Sequence, residues 1–119
     1  MGEKVRMELR SPDPTMNPYL GFALIIAAGL EGIEKGLVLP SASNVDLNAA
    51  EENITKNLTP LPADMHEAIR LAETSGFVKS VLGEELLLKY ISFKKTEAEE
   101  FTAAEDKMEF YRKRYFEFI

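Results

Sequence analysis

The 119 residues suit one domain of ordinary size, and 45% apolar side chains are enough to build a core. With 20 acidic against 14 basic side chains the net charge is −6, which argues against the basic surface that nucleic-acid binding requires. The absence of cysteine excludes disulfides, thiol nucleophiles and thiolate metal sites, and fits a cytosolic setting.

The first element predicted is a short strand at residues 4–10. In an extended chain alternate side chains share a face, so Arg6, Glu8 and Arg10 line one side and Val5, Met7 and Leu9 the other. A carboxylate between two guanidiniums suits a divalent cation flanked by grips on anionic oxygens, the arrangement phosphoryl transfer uses. The same spacing is also that of a solvated strand with alternating charges, and on spacing alone that is the favoured reading, because charged positions on a solvated face are common. Ser11-Pro12-Asp13-Pro14 then reads as a turn, with Asp13 and Pro14 shaping it.

A helix is predicted from Asn17 to Lys35. Asn17 is a good N-cap, Pro18 fits the first helical position, and Gly36 can end the helix. The uncharged run from Thr15 to Leu30 falls short of the roughly 20 apolar residues that span a bilayer, so a buried helix is expected and no membrane contact. Residues 37–61, broken by Pro40, Asn44, Asn48, Pro60 and other turn formers, read as a connection with a helical turn near Asn48 to Asn53. The sequons at Asn53 and Asn57 follow no signal-peptide pattern and are read as chance.

Asp64 and Glu67 make a capping box for a helix whose apolar stripe is Met65, Ala68, Ile69 and Ala72. A short helix around Gly76 to Leu82 ends at Gly83. From Glu84 onward Leu87, Ile91, Ala98, Phe101, Met108, Tyr111 and Tyr115 keep to one side of a long helix, or of two successive ones. His66, the single histidine, is assigned a surface or packing role. Glu97, Glu99 and Glu100 read as a solvated face, because helical neighbours one residue apart point in different directions. Arg112-Lys113-Arg114 lies among Glu109 and Glu117 and reads the same way.

The Arg-x-Glu-x-Arg run of residues 6–10, its continuation into Ser11-Pro12-Asp13-Pro14, and Asn17-Pro18-Tyr19 at the helix start together resemble a segment of glutamine synthetases without a gap. The resemblance continues through Ala28-Gly29-Leu30-Glu31-Gly32-Ile33, Leu61-Pro62, Glu67-Ala68-Ile69, Leu82-Gly83, Tyr90, Lys94 and Glu97. It spans nearly the whole chain but only the last part of that family's enzyme. The family's carboxy-terminal tryptophan has no counterpart here, where Phe110-Tyr111 stands instead.

The resemblance implies a mainly α fold: the helical carboxy-terminal portion of the family's catalytic domain, with at most a remnant β-strand at residues 4–10. Residues 1–119 would form one partial domain, the upstream β-grasp domain and most of the barrel being absent, and Met1-Gly2 reads as an imposed start. It further implies an ATP-dependent glutamate–ammonia ligase that works through γ-glutamyl phosphate with Mg2+ or Mn2+. Glu8 would be a metal ligand, Arg10 a catalytic and substrate-binding residue, and Arg6 a nucleotide-side residue. Glutamate, ammonia and ATP would be the partners of the parent enzyme, which forms rings in this family; the isolated chain is expected to be inactive and to form a small homo-oligomer. Two alternatives stay open: a relative that joins glutamate to another amine such as a polyamine, and a stand-alone helical interaction module.

Overall fold

A computed structural model describes residues 6–42, 56 and 58–117. The helical turn expected near residues 48–53 lies outside these residues, as do Val5 and both asparagines of the sequons. Among the described residues the chain is all helical: α1 (Pro18–Glu34), α2 (Met65–Thr74), α3 (Gly76–Leu82), α4 (Glu84–Ala103), α5 (Lys107–Tyr111) and a closing π-helical turn (Arg112–Phe116).

The helix ends follow from local chemistry. The Asn17 side chain accepts from the amides of Tyr19 and Leu20, and Pro18 opens α1 where no donor is needed. At the other end Gly36 adopts φ +59°, which lets its amide reach Ile33 O and the Leu37 amide reach Gly32 O, so two orphan carbonyls are satisfied in a Schellman turn. Asp64 accepts from the Glu67 amide at 2.8 Å, while the Glu67 carboxylate reaches back to the Ala63 amide, one residue before the expected box partner. Ser75 both ends α2 and caps α3 through its hydroxyl on the Val78 amide. Gly83, at φ +77°, does the same double duty between α3 and α4.

The core lies between α2 and α4, where Ile69, Leu87, Ile91 and Ala98 are buried and Ala72 and Val78 pack against them. Each large aliphatic side chain buried there contributes about 1.5–3 kcal/mol. Lys95 of α4 clamps Glu73 of α2 at 2.8 and 3.0 Å, and Lys79 bridges the Gly83 junction to Glu84. The expected single apolar side does not persist past α4. The backbone turns extended at Ala104, the Asp106 carboxylate starts a new helix on the Glu109 amide, and Met108 is left 74% exposed. Phe101, Phe110, Tyr111 and Tyr115 instead gather in a ladder of rings with centroids 5.1–6.4 Å apart.

Helix α1 meets this bundle through α3. Its half-buried side carries Leu20, Leu24 and Ala27, and no residue of it is fully buried. Across the helix Tyr19, Phe22, Ile26, Leu30 and Ile33 form an uncharged stripe, each more than half exposed, which Leu37, Val38 and Leu39 extend. The expectation of a buried α1 is therefore met on one side only.

Candidate functional site

Residues 6–10 form no strand, because a strand needs a partner and none pairs with it among the described residues. The alternation read from the sequence persists nonetheless. Met7 and Leu9 line a cleft of about 560 Å³ together with Met16, Phe22 and Ile25, so the apolar side of the segment faces α1. Glu8 and Arg10 are absent from that lining. They meet each other, Arg10 Nε donating to Glu8 Oε1 at 2.5 Å, and their side chains are 52% and 87% exposed. Arg6 is exposed as well.

A tight turn fixes where this segment enters α1. The Met16 amide donates to Asp13 O at 3.0 Å with Pro14 as the first central residue, the geometry that proline presets. The Asp13 carboxylate accepts from Thr15 Oγ1 at 2.6 Å and from its amide at 2.7 Å. Those bonds, the hydroxyl's first, hold its pKa below the ordinary carboxylate value. Asp13 is thus turned into its own loop, as a turn-shaping role requires. The Met16 thioether lies so close over Gly21 that a Cβ there would come within 2.6 Å of it. Loop and first helical turn are therefore locked together.

A second cluster of charge was not foreseen. Glu97 is only 3% exposed, whereas Glu99 and Glu100 do face solvent as expected. Lys94 Nζ donates to Glu97 Oε2 at 2.8 Å, the Tyr115 hydroxyl donates to Oε1, and Arg114 stands 3.7 Å from Oε2 with its guanidinium over the Phe93 ring. Burial pushes the Glu97 pKa up, but these hydrogen bonds and the two cations outweigh it and leave it below the ordinary value. The Tyr115 phenol is held well above its usual value, by burial first and then by its bond to Glu97. Only the Lys94–Glu97 spacing of three was visible in the sequence as a partner signal. The others come from 17 and 18 residues downstream, folded back by the bend at Ala104. With both oxygens engaged, Glu97 works as a clasp and not as an acid or base.

Beside the clasp a cavity of about 420 Å³ opens between the start of α2 and the aromatic ladder, with His66 on its wall. His66 is exposed, in line with the surface role read for it. The basic run divides: exposed Arg112 makes a two-point fork on half-buried Glu109 and reaches exposed Glu117, while Arg114 turns inward to Glu97. Among the described residues no group of three or more His, Asp or Glu side chains is placed to hold a metal ion, and no helix is long and apolar enough to cross a membrane.

Comparison with known proteins agrees with what the residues suggest. The family model described as glutamine synthetase, catalytic domain, matches residues 1–113. The glutamine synthetase of Methanosarcina mazei is 41% identical over 104 residues, covering 86% of this chain and 23% of the relative. That of Mycobacterium tuberculosis is 44% identical over 94 residues, covering 77% and 21%, and that of Methanocaldococcus jannaschii 34% identical over 105 residues, covering 87% and 23%. The chain spans less than a quarter of the length of these relatives, yet the match runs through the Glu8–Arg10 segment and the helices alike, and it belongs to the glutamine synthetase catalytic-domain family.

Proposed function

We propose that residues 1–119 are the carboxy-terminal part of the catalytic domain of an ATP-dependent glutamate–ammonia ligase acting in the cytoplasm. In this reaction a γ-carboxylate oxygen of glutamate attacks the terminal phosphorus of ATP and ADP leaves. Ammonia then attacks the acyl carbon of γ-glutamyl phosphate and phosphate leaves. The observation that carries the reading is the exposed Glu8–Arg10 pair, which stays out of the apolar cleft that Met7 and Leu9 line.

Arg10 offers a planar, two-point grip on the substrate carboxylate and on the phosphoryl oxygens, where negative charge grows during transfer. Arg6 serves the nucleotide side. The Glu8 carboxylate suits Mg2+ or Mn2+ as one hard oxygen ligand, but such a cation takes about six ligands, so Glu8 is one member of a set. When bound, the cation neutralises charge on the phosphates. Glu8 and Arg10 hold each other in the structure, and an ion pair this exposed is worth at most about 1 kcal/mol. Opening it to receive ligands is cheap.

One carboxylate and two guanidiniums do not orient ATP, glutamate and ammonia together, so the 119-residue chain alone is expected not to turn over. It is also expected to self-associate through the open side of α1. Phosphate release and glutamine formation, measured with the chain alone and with a complete enzyme carrying this segment, test the reading. The chain should match the blank, the complete enzyme should turn over, and Glu8→Gln in the latter should abolish turnover while leaving the fold intact. Near-parental activity of Glu8→Gln at saturating metal would refute the assignment.

A further inference from the structure

We infer that Met16 is a positioning residue for the proposed reaction: its thioether, seated on Gly21, keeps the cleft it shares with Met7 and Leu9 in the shape that sets where Glu8 and Arg10 stand. The inference rests on the functional reading above for its consequence, since that reading gives Glu8 and Arg10 their roles. The contacts that carry it stand without that reading.

A glycine inside a helix weakens it relative to alanine, and α1 carries one at its fourth residue. Its surroundings give the reason. A Cβ at Gly21 would come within 2.6 Å of both Sδ and Cε of Met16, whereas one at Gly29, Gly32 or Gly76 would meet nothing within 4 Å. Ordinary contact is about 3.5–4.0 Å, so the thioether would have to retreat by about 1 Å. The Met16 backbone is held on both sides. Its amide donates to Asp13 O at 3.0 Å, and the next residue, Asn17, caps α1 and accepts from the Gly21 amide at 3.0 Å. Any adjustment therefore falls on the three rotatable bonds of the Met16 side chain.

That side chain helps to line the cleft of about 560 Å³ that Met7, Leu9, Phe22 and Ile25 also line. Residues 6–10 have no ladder partner among the described residues, so their apolar side is what registers the segment against α1. Glu8 lies between Met7 and Leu9 in the chain and Arg10 follows directly. A cleft that changes shape by about 1 Å thus acts on the anchors to either side of Glu8, and a misplacement of that size can cost about a hundredfold in rate. The thioether offers no charge and is a poor ligand for a hard cation. What Met16 contributes is position.

The test has two parts. In the 119-residue chain with 13C-labelled methionine methyls, Gly21→Ala should shift the Met16 and Met7 signals. Those of Met65, on the wall of the other cavity, and of exposed Met108 should stay in place. The Tm should be no lower than the parent's, since alanine favours the helix. In a complete glutamine synthetase carrying this segment, the same change should lower kcat roughly ten- to a hundredfold. Met16→Ala should itself lower kcat, and Met16→Leu, which keeps the volume, should stay closer to the parent. In the Met16→Ala background, where Sδ and Cε are gone, adding Gly21→Ala should change kcat by less than about twofold. Parental kcat for Gly21→Ala, an equal loss in both backgrounds, a Tm that falls along with kcat, or an unmoved Met7 signal would each overturn the inference. Turnover of Glu8→Gln reads the site assignment separately. Parental activity there would remove the role of Glu8, while the methyl shifts and the dependence of Gly21→Ala on Met16 would still decide the role of Met16.

Discussion

Replacing Glu97 by Gln should release the carboxy-terminal turn from the bundle. The side chain is 3% exposed and is held by Lys94 at 2.8 Å, by the Tyr115 hydroxyl and by Arg114. The amide keeps the shape but removes the charge that the two cations face, and its NH2 group offers a donor where donors already converge. Hydrogen bonds to charged groups are worth about 1.5–3 kcal/mol, and breaking one side of a buried pair costs about 3–5 kcal/mol. Lys94 and Arg114 retain some water contact, so about 2–3 kcal/mol is expected. For a chain this long, about 2.1 cal/mol/K per residue makes that a fall of roughly 8–12 °C in Tm. Tyr115→Phe should cost about 1.5–2 kcal/mol. The double variant should cost less than the sum, because both act on one network.

The clasp also has a local readout, for Lys113 and Arg114 are tryptic sites beside it. If opening is fast relative to cleavage, about 2 kcal/mol raises the cleavage rate roughly thirtyfold. Because the folded-state pKa of Glu97 lies below the ordinary value of 4.5, its contribution is complete above that pH and is lost as the pH falls below it. The extra cleavage susceptibility of Glu97→Gln over the parent should therefore shrink as acid removes the parent's own charge. A Tm within 1 °C of the parent, about a quarter of a kcal/mol here, or strict additivity with Tyr115→Phe would refute the clasp.

Gly36→Ala should cost about 1 kcal/mol, read as a lower Tm, because φ +59° suits only glycine without strain and the Schellman bonds depend on it. Asn17→Ala should cost about 1 kcal/mol by leaving the Tyr19 and Leu20 amides without an acceptor; an unchanged melt would mean that water replaces the cap at no cost. In a complete enzyme Arg10→Lys should lower kcat severely, since an ammonium cannot reproduce a two-point guanidinium grip, and near-parental kcat would exclude that contact. Sedimentation of the isolated chain at micromolar concentration should show a concentration-dependent dimer, and a clean monomer would mean that α1 covers its own stripe.

What could be read from the sequence was what local chemistry decides. Asn17-Pro18 and Gly36 bracket α1 because capping involves residues three or four apart, and Gly83 ends α3 for the same reason. The Met7 and Leu9 side of the first segment was legible too, since alternation survives even where no strand forms. Glu97 was not. In a run with Glu99 and Glu100 its charge signals solvent, and the partners that bury it arrive only because the chain bends at Ala104. Met108 fails for the same cause: a periodicity carried across a bend points to a different side of the molecule. The candidate site was legible as a motif, but the Glu8–Arg10 pairing depends on side-chain torsions that spacing does not specify.

Ser75 and Gly83, each of which closes one helix and opens the next, leave the α2–α3–α4 tract no spare link. Adding a single residue at either junction would turn the following helix by about 100°, swinging Leu87 and Ile91 off Ile69 at once. A change of side chain strains one junction, as it would at Gly83 with its φ of +77°, whereas a change of length displaces the whole helix that follows. Over descent this tract should drift in composition while holding its residue count, and gene-level insertions should survive only where a connection has slack to lose. A peptide tag or fluorescent reporter placed at Ser75 or Gly83 would thus unseat the core.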